Sequence, residues 1–378
     1  MTDAARALQP AATNAPSGIG SCVASLGVLE LLKLFSGELE QALVGRELYL
    51  DARHHQHTVT RLTRNPNCRF DHATWVVAEV DGLTLGEALE LEDATLSASE
   101  LVVEETAFVA ELTCRRCCRQ WAPWKLRRSL VQEDRVCRRC GEISVPAGFD
   151  LVDRLSAKRV PAELLRRPLS DLGLRPGEIF SIRARGGEAH YQLSLGARAR
   201  PGSGARIVQA GCGNIGSHTV PHLARMPGVQ QVVLVDPDVY ENQNVAGQDI
   251  RACDVGRRKV EVQAERLHQI RPELEVVAVA DRLERLPFAY FRNAFILGAL
   301  DSRLARQQLN QAAWRAGSPW VDMAVDGPGL LCRVSVYWPG VESPCLECGW
   351  DAADYRLLRQ ILPCEELAAT TVPRGEGT

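Results

Sequence analysis

The chain lacks a basic start followed by an apolar core. Its first ten residues read MTDAARALQP, which does not fit a secretory leader. No apolar run approaches the roughly 20 residues that cross a bilayer, so no membrane partner is expected. Charge of one sign is not in excess either. The 44 Lys and Arg against 47 Asp and Glu leave a net charge of −3, which gives no reason to expect a nucleic-acid polyanion as the main partner. Cysteine, by contrast, is plentiful, with 13 among 378 residues. Six of these stand as C-x2-C pairs, and without a leader such pairs read as metal ligation in a reducing compartment. The expected location is therefore cytoplasmic. An apolar share of 46% with 24% charged residues is ordinary for a globular chain, and the length has room for two or three domains.

Along the chain, Ser21 to Phe35 (SCVASLGVLELLKLF) carries Val23, Leu26, Leu29 and Phe35 at helical spacing, with Leu32 beside them and Ser36-Gly37 as the stop. RELYLD and HTVTRLT then read as a short β-hairpin. Residues 76–200 have another character, with cysteine pairs and an Arg-rich middle, and ARARPGSGAR (Ala197 to Arg206) is a plausible linker. From Arg206 onward the apolar runs RIVQAG, QQVVLVD, LEVVAVA, AFILGALD, PWVDMAV and LLCRVSVYW alternate with helical patterns. That alternation predicts an α/β fold with a parallel sheet covered by helices.

RIVQAGCGNIGSHTV places a G-x-G-x-x-G motif, Gly211, Gly213 and Gly216, between a strand and a helix. Glycines there permit a tight turn and let phosphate approach the amides of a helix N-terminus. Asp236 ends the next strand twenty residues after Gly216, where a carboxylate can accept bonds from ribose hydroxyls. By itself the motif points to a dinucleotide-dependent dehydrogenase. Beyond Asp236, however, nothing resembles a hydride-transfer site. An ordered series continues through Asp236-x-Asp238, Asn244, Gln248, Asp254-x-Gly256, Lys259, then Asp301, Arg306 and Asn310, and finally a proline-led C-x2-C. Here the sequence resembles the ThiF/MoeB/HesA family of ubiquitin-activating-enzyme-like adenylyltransferases.

That resemblance implies a Rossmann-like adenylation domain acting on the C-terminal carboxylate of a ubiquitin-like or sulfur-carrier protein ending in Gly-Gly, with ATP and Mg2+ as cofactors. It implies that Asp301 holds Mg2+, Lys259 contacts phosphate and Asp236 the ribose, with Gly211, Gly213, Gly216, Asp238, Asn244 and Gln248 completing the nucleotide site. A strand-end acid such as Asp301 can also cap the helix that follows it. It further implies a homodimer and a possible conjugating enzyme downstream. Two positions depart from the family pattern. The family writes N-L-x-R-Q, with the Arg on the ATP phosphates, where this chain has Asn244-Val245-Ala246-Gly247-Gln248; Arg251 or Arg206 is a candidate substitute. Ser302 stands where the family tends to have Asn.

The order of the family's elements is also broken. Cys345 and Cys348 form half of a tetrahedral zinc site. The family's other half comes after a helix and a hairpin, yet this chain ends at Thr378, thirty residues after Cys348. The matching helix, hairpin and zinc phrase lie at the front, ending in Cys68 and His72. The expectation is a circularly permuted adenylation domain, its relocated C-terminal part in residues 1–75 and its nucleotide-binding part in 201–378, around a zinc-ribbon α+β module in 76–200. The rival is two incomplete copies completed by exchange between subunits. AATNAPSGIGS near the start and AATTVPRGEGT at the end share six positions, as expected of a gene duplicated in tandem and trimmed from both sides.

In the module, Cys114-x2-Cys117 and Cys137-x2-Cys140 are nineteen residues apart, the spacing of a zinc ribbon, which gives two expected Zn2+ sites in all. Cys118 is the odd neighbour. The ribbon's Arg residues with Trp121 and Trp124 could touch RNA, although ribbons are more often structural or protein-binding. Cys364 lies sixteen residues after the last pair; the resemblance implies a thiol there that attacks the acyl-adenylate, against the plainer reading of an inert cysteine. Two other functions stay open. One is a catalytically weak nucleotide-binding scaffold for a ubiquitin-like protein, the other an NAD-dependent oxidoreductase.

Overall fold

The computed structural model describes residues 15–92, 99–104, 106–195, 205–340 and 342–358. The described residues divide into two compact units. The first draws on both ends of the chain, combining residues up to 74 with 205–286 and those from 290 on, while the second holds 75–195 with 287–289.

The first unit contains, in chain order, α1 (Ser17–Phe35), β1 (Arg46–Asp51), β2 (Gln56–Arg61), β3 (Ala205–Ala210), α2 (Asn214–Leu223), β4 (Val229–Val235), α3 (Lys259–Ile270), β5 (Glu275–Val279), β6 (Ala294–Gly298), α4 (Arg303–Ala316), β7 (Trp320–Asp326) and β8 (Leu331–Tyr337). One eight-stranded sheet runs in the order β5-β4-β3-β6-β7-β8-β1-β2. Strands β5 through β7 pair in parallel. The last three pairings, β7 with β8, β8 with β1 and β1 with β2, are antiparallel. This is the Rossmann-like α/β class that the alternating runs predict, extended by an antiparallel flank. In β4 every residue but Gln230 is buried, as a parallel strand covered on both faces requires. The chain leaves β3 toward β4 and β5 on one side, then returns to β6 on the other. At such a reversal a crevice opens beyond the carboxyl ends of the strands.

Helix α1 differs from its sequence reading in extent and face. It starts at Ser17, and it buries Ile19, Val23, Ala24, Gly27, Val28, Leu31 and Leu34, while Leu29 and Leu32 are 53% and 36% exposed. Small residues set this face. A Cβ at Gly27 would lie 2.2 Å from Met323 Sδ, and one at Gly20 2.1 Å from Asn214 Oδ1. The helix can approach β7 and α2 only along that glycine seam, so the larger leucines beside it turn outward. The expectation of no span-length apolar segment is corrected here too: at 19 residues α1 is long and apolar enough to cross a membrane. Sequence inspection passes over it because Glu30 and Lys33 interrupt the run. Glu30 is buried, and its carboxylate accepts bonds from Lys33 Nζ at 2.5 Å and Leu43 N at 2.6 Å. Nine residues of α1 are buried, which makes it a core helix of this unit.

The second unit has a five-stranded sheet ordered 154–155, 100–102, 179–184, 187–193, 77–80, with smaller three- and two-stranded sheets. Its core gathers Leu85, Leu101, Phe108, Leu126, Leu155 and Phe180.

Gly27→Val should lower the thermal midpoint, because overpacking a tight helix–sheet contact costs about 1–3 kcal/mol. Gly18→Ala, where a Cβ meets nothing within 4 Å, should keep or slightly raise the midpoint in the same scan, since Ala is the better helix former.

Candidate nucleotide site and metal centres

The crevice at the carboxyl edge of the sheet begins with the glycine loop. Gly211 has φ +95°, and a Cβ on it would lie 2.3 Å from Ala299 O; a Cβ on Gly216 would lie 2.1 Å from Gly211 O. Both glycines are therefore needed for the turn itself. Gly213 differs, because a Cβ there meets nothing within 4 Å. Gly213 is the N-cap of α2 and no side chain caps the helix, so a phosphate placed there would meet both space and the positive end of a helix dipole. Beneath the loop, Gln209 Nε2 donates to Gly211 O at 3.1 Å and Gly216 O at 2.9 Å. Thr219 Oγ1 donates to Gln209 Oε1 at 2.5 Å. The sequence reading misses this brace; its one signal is a polar residue inside an apolar strand run.

Beside the loop, Asp236, Asp238 and Lys259 form one circuit. Asp236 comes directly after β4 and is buried; Cys212 N donates to its Oδ2 at 2.7 Å and Asp238 N to its Oδ1 at 2.9 Å. Lys259, the first residue of α3, places Nζ 2.9 Å from Asp238 Oδ2 and 4.0 Å from Asp236 Oδ1. Burial opposes the Lys259 charge, but the two carboxylates outweigh it and hold the ammonium above the usual lysine range. Burial raises the Asp236 carboxyl, against the opposing pull of Lys259 and the two amides. Asp236 thus holds the glycine loop through Oδ2 and its own turn through Oδ1, whereas the Asp238 side chain is 61% exposed.

Asn214, inside the glycine motif, ties three segments together. Its Nδ2 donates to Ala15 O at 2.9 Å and to Gly247 O at 2.5 Å. Glu241 N donates to Asn244 Oδ1 at 2.8 Å and Gln248 N to Asn244 O at 2.9 Å, which shapes the expected Asn244 and Gln248 stretch, and the Asn214 bond to Gly247 O anchors it against the loop. A Cβ at Gly247 would lie 2.8 Å from Ala15 O, so the position that the family gives to Arg is closed by the front of the chain. Arg206 does not replace that Arg. It lies at the far end of β3 from the loop, buried, with Nε donating to Gln231 Oε1 at 2.5 Å. Arg251 is exposed, with Nε 3.6 Å from Asp254 Oδ2.

Asp301 lies two residues beyond Ala299, whose N donates to Ala210 O at 2.8 Å, so it sits at the same sheet edge as the glycine loop. It is exposed. It does not cap α4; Ser302 does, its Oγ accepting from Ala305 N at 3.4 Å. Arg306 grips the fully buried Asp322, with Nη1 2.6 Å from each carboxylate oxygen, and Arg333 Nη2 donates to the same carboxylate at 2.6 Å. Nothing in the sequence pattern marks Asp322. Asn310 Oδ1 accepts from Leu346 N at 3.1 Å, linking α4 to the cysteine loop.

Cys68, His72, Cys345 and Cys348 converge, their ligand atoms all within 4.8 Å of one another. Cys68 Sγ and Cys348 Sγ each lie 3.8 Å from Cys345 Sγ, and His72 Nε2 lies 3.2 Å from Cys348 Sγ. Two sulfurs bound tetrahedrally to zinc at about 2.3 Å stand about 3.8 Å apart, so this donor set fits the ion. Hydrogen bonding with Cys345 draws the Cys348 thiol well below its usual range. The Trp314 ring lies edge-on to His72 at 4.9 Å and limits its swing.

In the second unit Cys114, Cys117, Cys137 and Cys140 also lie within 4.8 Å, with Cys114 to Cys140 at 3.4 Å and Cys117 to Cys137 at 3.5 Å. The two loops repeat one geometry: Cys118 N donates to Cys114 O and Gly141 N to Cys137 O, both at 2.9 Å, with φ +56° and +76°. Cys118 is therefore the turn residue matching Gly141, exposed and outside the cluster. Cys364 lies outside the described residues. Metal analysis of the purified protein should find about two zinc ions per chain, since each four-ligand cluster closes one site. A Cys68→Ser/His72→Ala variant and a Cys137→Ser/Cys140→Ser variant should each retain one.

Residues 203–373 match the ThiF family. Among curated proteins, the chain is 29% identical over 157 residues to the NEDD8-activating enzyme E1 catalytic subunit of Saccharomyces cerevisiae, covering 39% of this chain and 51% of that one. It is 29% identical over 149 residues to the sulfur carrier protein ThiS adenylyltransferase of Escherichia coli, covering 39% and 58%. A crystal structure of E. coli MccB with ATP aligns at 24% identity and a TM-score of 0.32, covering 46% of this chain and 50% of that one. The chain spans about half the length of the curated relatives it matches. The glycine loop, the Asp236–Lys259 circuit, Asp301 and the Cys345–Cys348 pair all fall inside residues 203–373, the stretch that matches the ThiF family.

Proposed function

We propose that this protein adenylates the C-terminal carboxylate of a ubiquitin-like or sulfur-carrier protein, using ATP and Mg2+ and releasing pyrophosphate. The observation that carries this reading is the open cradle at Gly213, walled by α2 and flanked by the Lys259–Asp236–Asp238 circuit. The names of the curated relatives support it, since they include an E1 catalytic subunit and a carrier-protein adenylyltransferase.

In the reaction a carboxylate oxygen bonds to the α-phosphorus and the bond to the pyrophosphate oxygen breaks. Both reactants are anions, so the site must hold them together and offset their charge. The α2 N-terminus and Lys259 supply positive charge that is already in place. Asp238 keeps the lysine protonated and aimed. Asp301 and Asp238, the open carboxylates at this edge, are the residues that would hold Mg2+, which supplies charge neutralisation at the phosphates. Domain order is read the same way: residues 1–75 are a relocated end of the adenylation domain, a reading supported by the β1–β8 ladder and by the convergence of Cys68 and His72 with Cys345 and Cys348.

A second reading has its own observation. Gly247 is closed against Ala15, so the family's phosphate-binding Arg is absent and its place is filled. A scaffold that binds nucleotide without adenylating would look like this. ATP–pyrophosphate exchange dependent on a small protein ending in Gly-Gly separates the two. Exchange supports the enzyme; tight ATP binding without exchange, across candidate carrier proteins, supports the scaffold.

Lys259→Ala and Asp301→Ala should each lower the exchange rate by at least about 100-fold, the usual cost of removing one charge-stabilising group. Gly213→Val should abolish ATP binding in calorimetry while leaving the thermal midpoint near that of the parent. Gly216→Val, whose Cβ would collide with Gly211 O, should lower the midpoint as well.

A further inference from the structure

The zinc-ribbon segment carries a surface that the adenylation reading does not use. Between Cys114 and Cys140 there are nine Lys and Arg against two Asp and Glu, in a chain that is otherwise slightly acidic. Part of this charge is satisfied internally. Lys125 Nζ pairs with Asp134 at 2.7 Å, Arg128 with Glu178 at 3.0 Å, and Arg135 Nε donates to Ser144 O at 3.2 Å. Arg115, Arg116, Arg119, Arg138 and Arg139 are all exposed, and among the described residues none of them has an ion-pair partner. They are also close together. Four sit between the cysteines of the two matching loops, and the four sulfurs of those loops lie within 4.8 Å of one another.

A self-contained explanation would have these guanidiniums neutralise the metal cluster. Four thiolates on one Zn2+ leave a formal charge of about −2, so five guanidiniums exceed that need by roughly three. The surplus is displayed to solvent beside apolar side chains. Val136 bridges to Ile143, and Ser144 N donates to Arg135 O at 2.9 Å, so 143–145 runs as an extended edge. Along it Ser144 is 1% exposed while Ile143 and Val145 are 47% and 41% exposed, the alternation of a strand whose outer face is hydrophobic. Phe149, four residues on, is 99% exposed. An exposed apolar strip rimmed by unpaired cations marks an interaction surface.

The chemistry selects the class of partner. A single-stranded nucleic acid would want aromatic faces on which bases stack. The two candidate tryptophans are engaged elsewhere: the Trp121 indole N–H donates to Asp134 O at 2.9 Å, and Trp124 packs against the core of the unit. Phe149 is the one open aromatic ring here, while Ile143 and Val145 offer no stacking face; this mainly aliphatic strip beside Arg suits a protein segment with carboxylates and apolar side chains. We propose that the face formed by the two cysteine loops and residues 143–149 docks an acidic, apolar segment of a partner protein.

The test uses the full-length, zinc-loaded protein and fluorescence anisotropy. The probe is a fluorescein-labelled 20-residue peptide of mixed Glu, Leu and Phe, with a peptide of the same apolar residues and Lys for Glu as one control and a labelled 20-nucleotide oligouridylate as the other. The acidic peptide should bind the parent protein, and binding should weaken as NaCl is raised from 50 to 300 mM, as screening of exposed charges requires. An Arg138→Glu/Arg139→Glu variant should weaken it at least about tenfold, since reversing charges at an interface penalises the complementary partner strongly. Phe149→Ser should weaken it by about threefold or more while leaving the salt dependence intact. Zinc content and thermal midpoint, measured on each variant, confirm that the fold is kept. Absence of binding to the parent, equal binding by both variants, or equal binding of the Lys peptide would overturn the proposal. Tighter binding of the oligouridylate than of the peptide would overturn it in favour of a nucleic-acid surface.

Discussion

Five residue pairs, from Glu47 opposite Ser335 to Asp51 opposite Leu331, fasten the front of this chain to its back, and the rest of the first unit depends on them. The ladder supplies the sheet with its last two strands. It holds α1 over β7 and α2, where the glycine seam allows contact. It also delivers Cys68 and His72 to the loop that carries Cys345 and Cys348. Without it the sheet would expose an edge at β8, and the site that holds the sulfurs of the back half would lack two of its four ligands.

The same arrangement reaches the nucleotide crevice. Ala15 precedes α1, and its carbonyl receives one of the two bonds from Asn214 while occupying the space beside Gly247. The glycine loop is therefore supported from one side by Gln209 and Thr219, which come with β3 and α2, and from the other by residues that arrive through the amino-terminal segment. Electrostatics completes the crevice. A buried ammonium beside two carboxylates is costly to place and costly to break, and here the cost is offset because Asp236 is held by two backbone amides. The result is an ammonium group fixed in place at the sheet edge.

Much of this was legible in the sequence, for identifiable reasons. Five of the six apolar runs after Arg206 form the parallel part of the sheet, where buried strands need continuous apolar stretches, and the sixth, β8, pairs antiparallel on both sides. The glycine motif was readable because Gly211 and Gly216 have no alternative: each is closed by backbone. The spacing of the cysteine pairs carried information because tetrahedral ligation constrains chain length between ligands. What was not legible depended on contacts between distant segments. The orientation of α1 follows from Met323 and Asn214 meeting Gly27 and Gly20, and no periodicity within the helix encodes that. Asp322 reads as one more residue of a strand until Arg306 and Arg333 are seen to close on it. Arg206 seemed available until its place at the far end of β3 was known. The closure of Gly247 could not be read from the local motif, since the atom that closes it belongs to Ala15.

The central claim is that the amino-terminal segment is part of the nucleotide site and not an appendage to it. Amide hydrogen exchange on the full-length protein, with and without saturating ATP and Mg2+, tests this most directly. The account predicts that ATP slows exchange in residues 211–217 and, together with them, in 15–20. Protection confined to 211–217 with residues 15–20 unchanged, or no protection at the glycine loop at all, would contradict it.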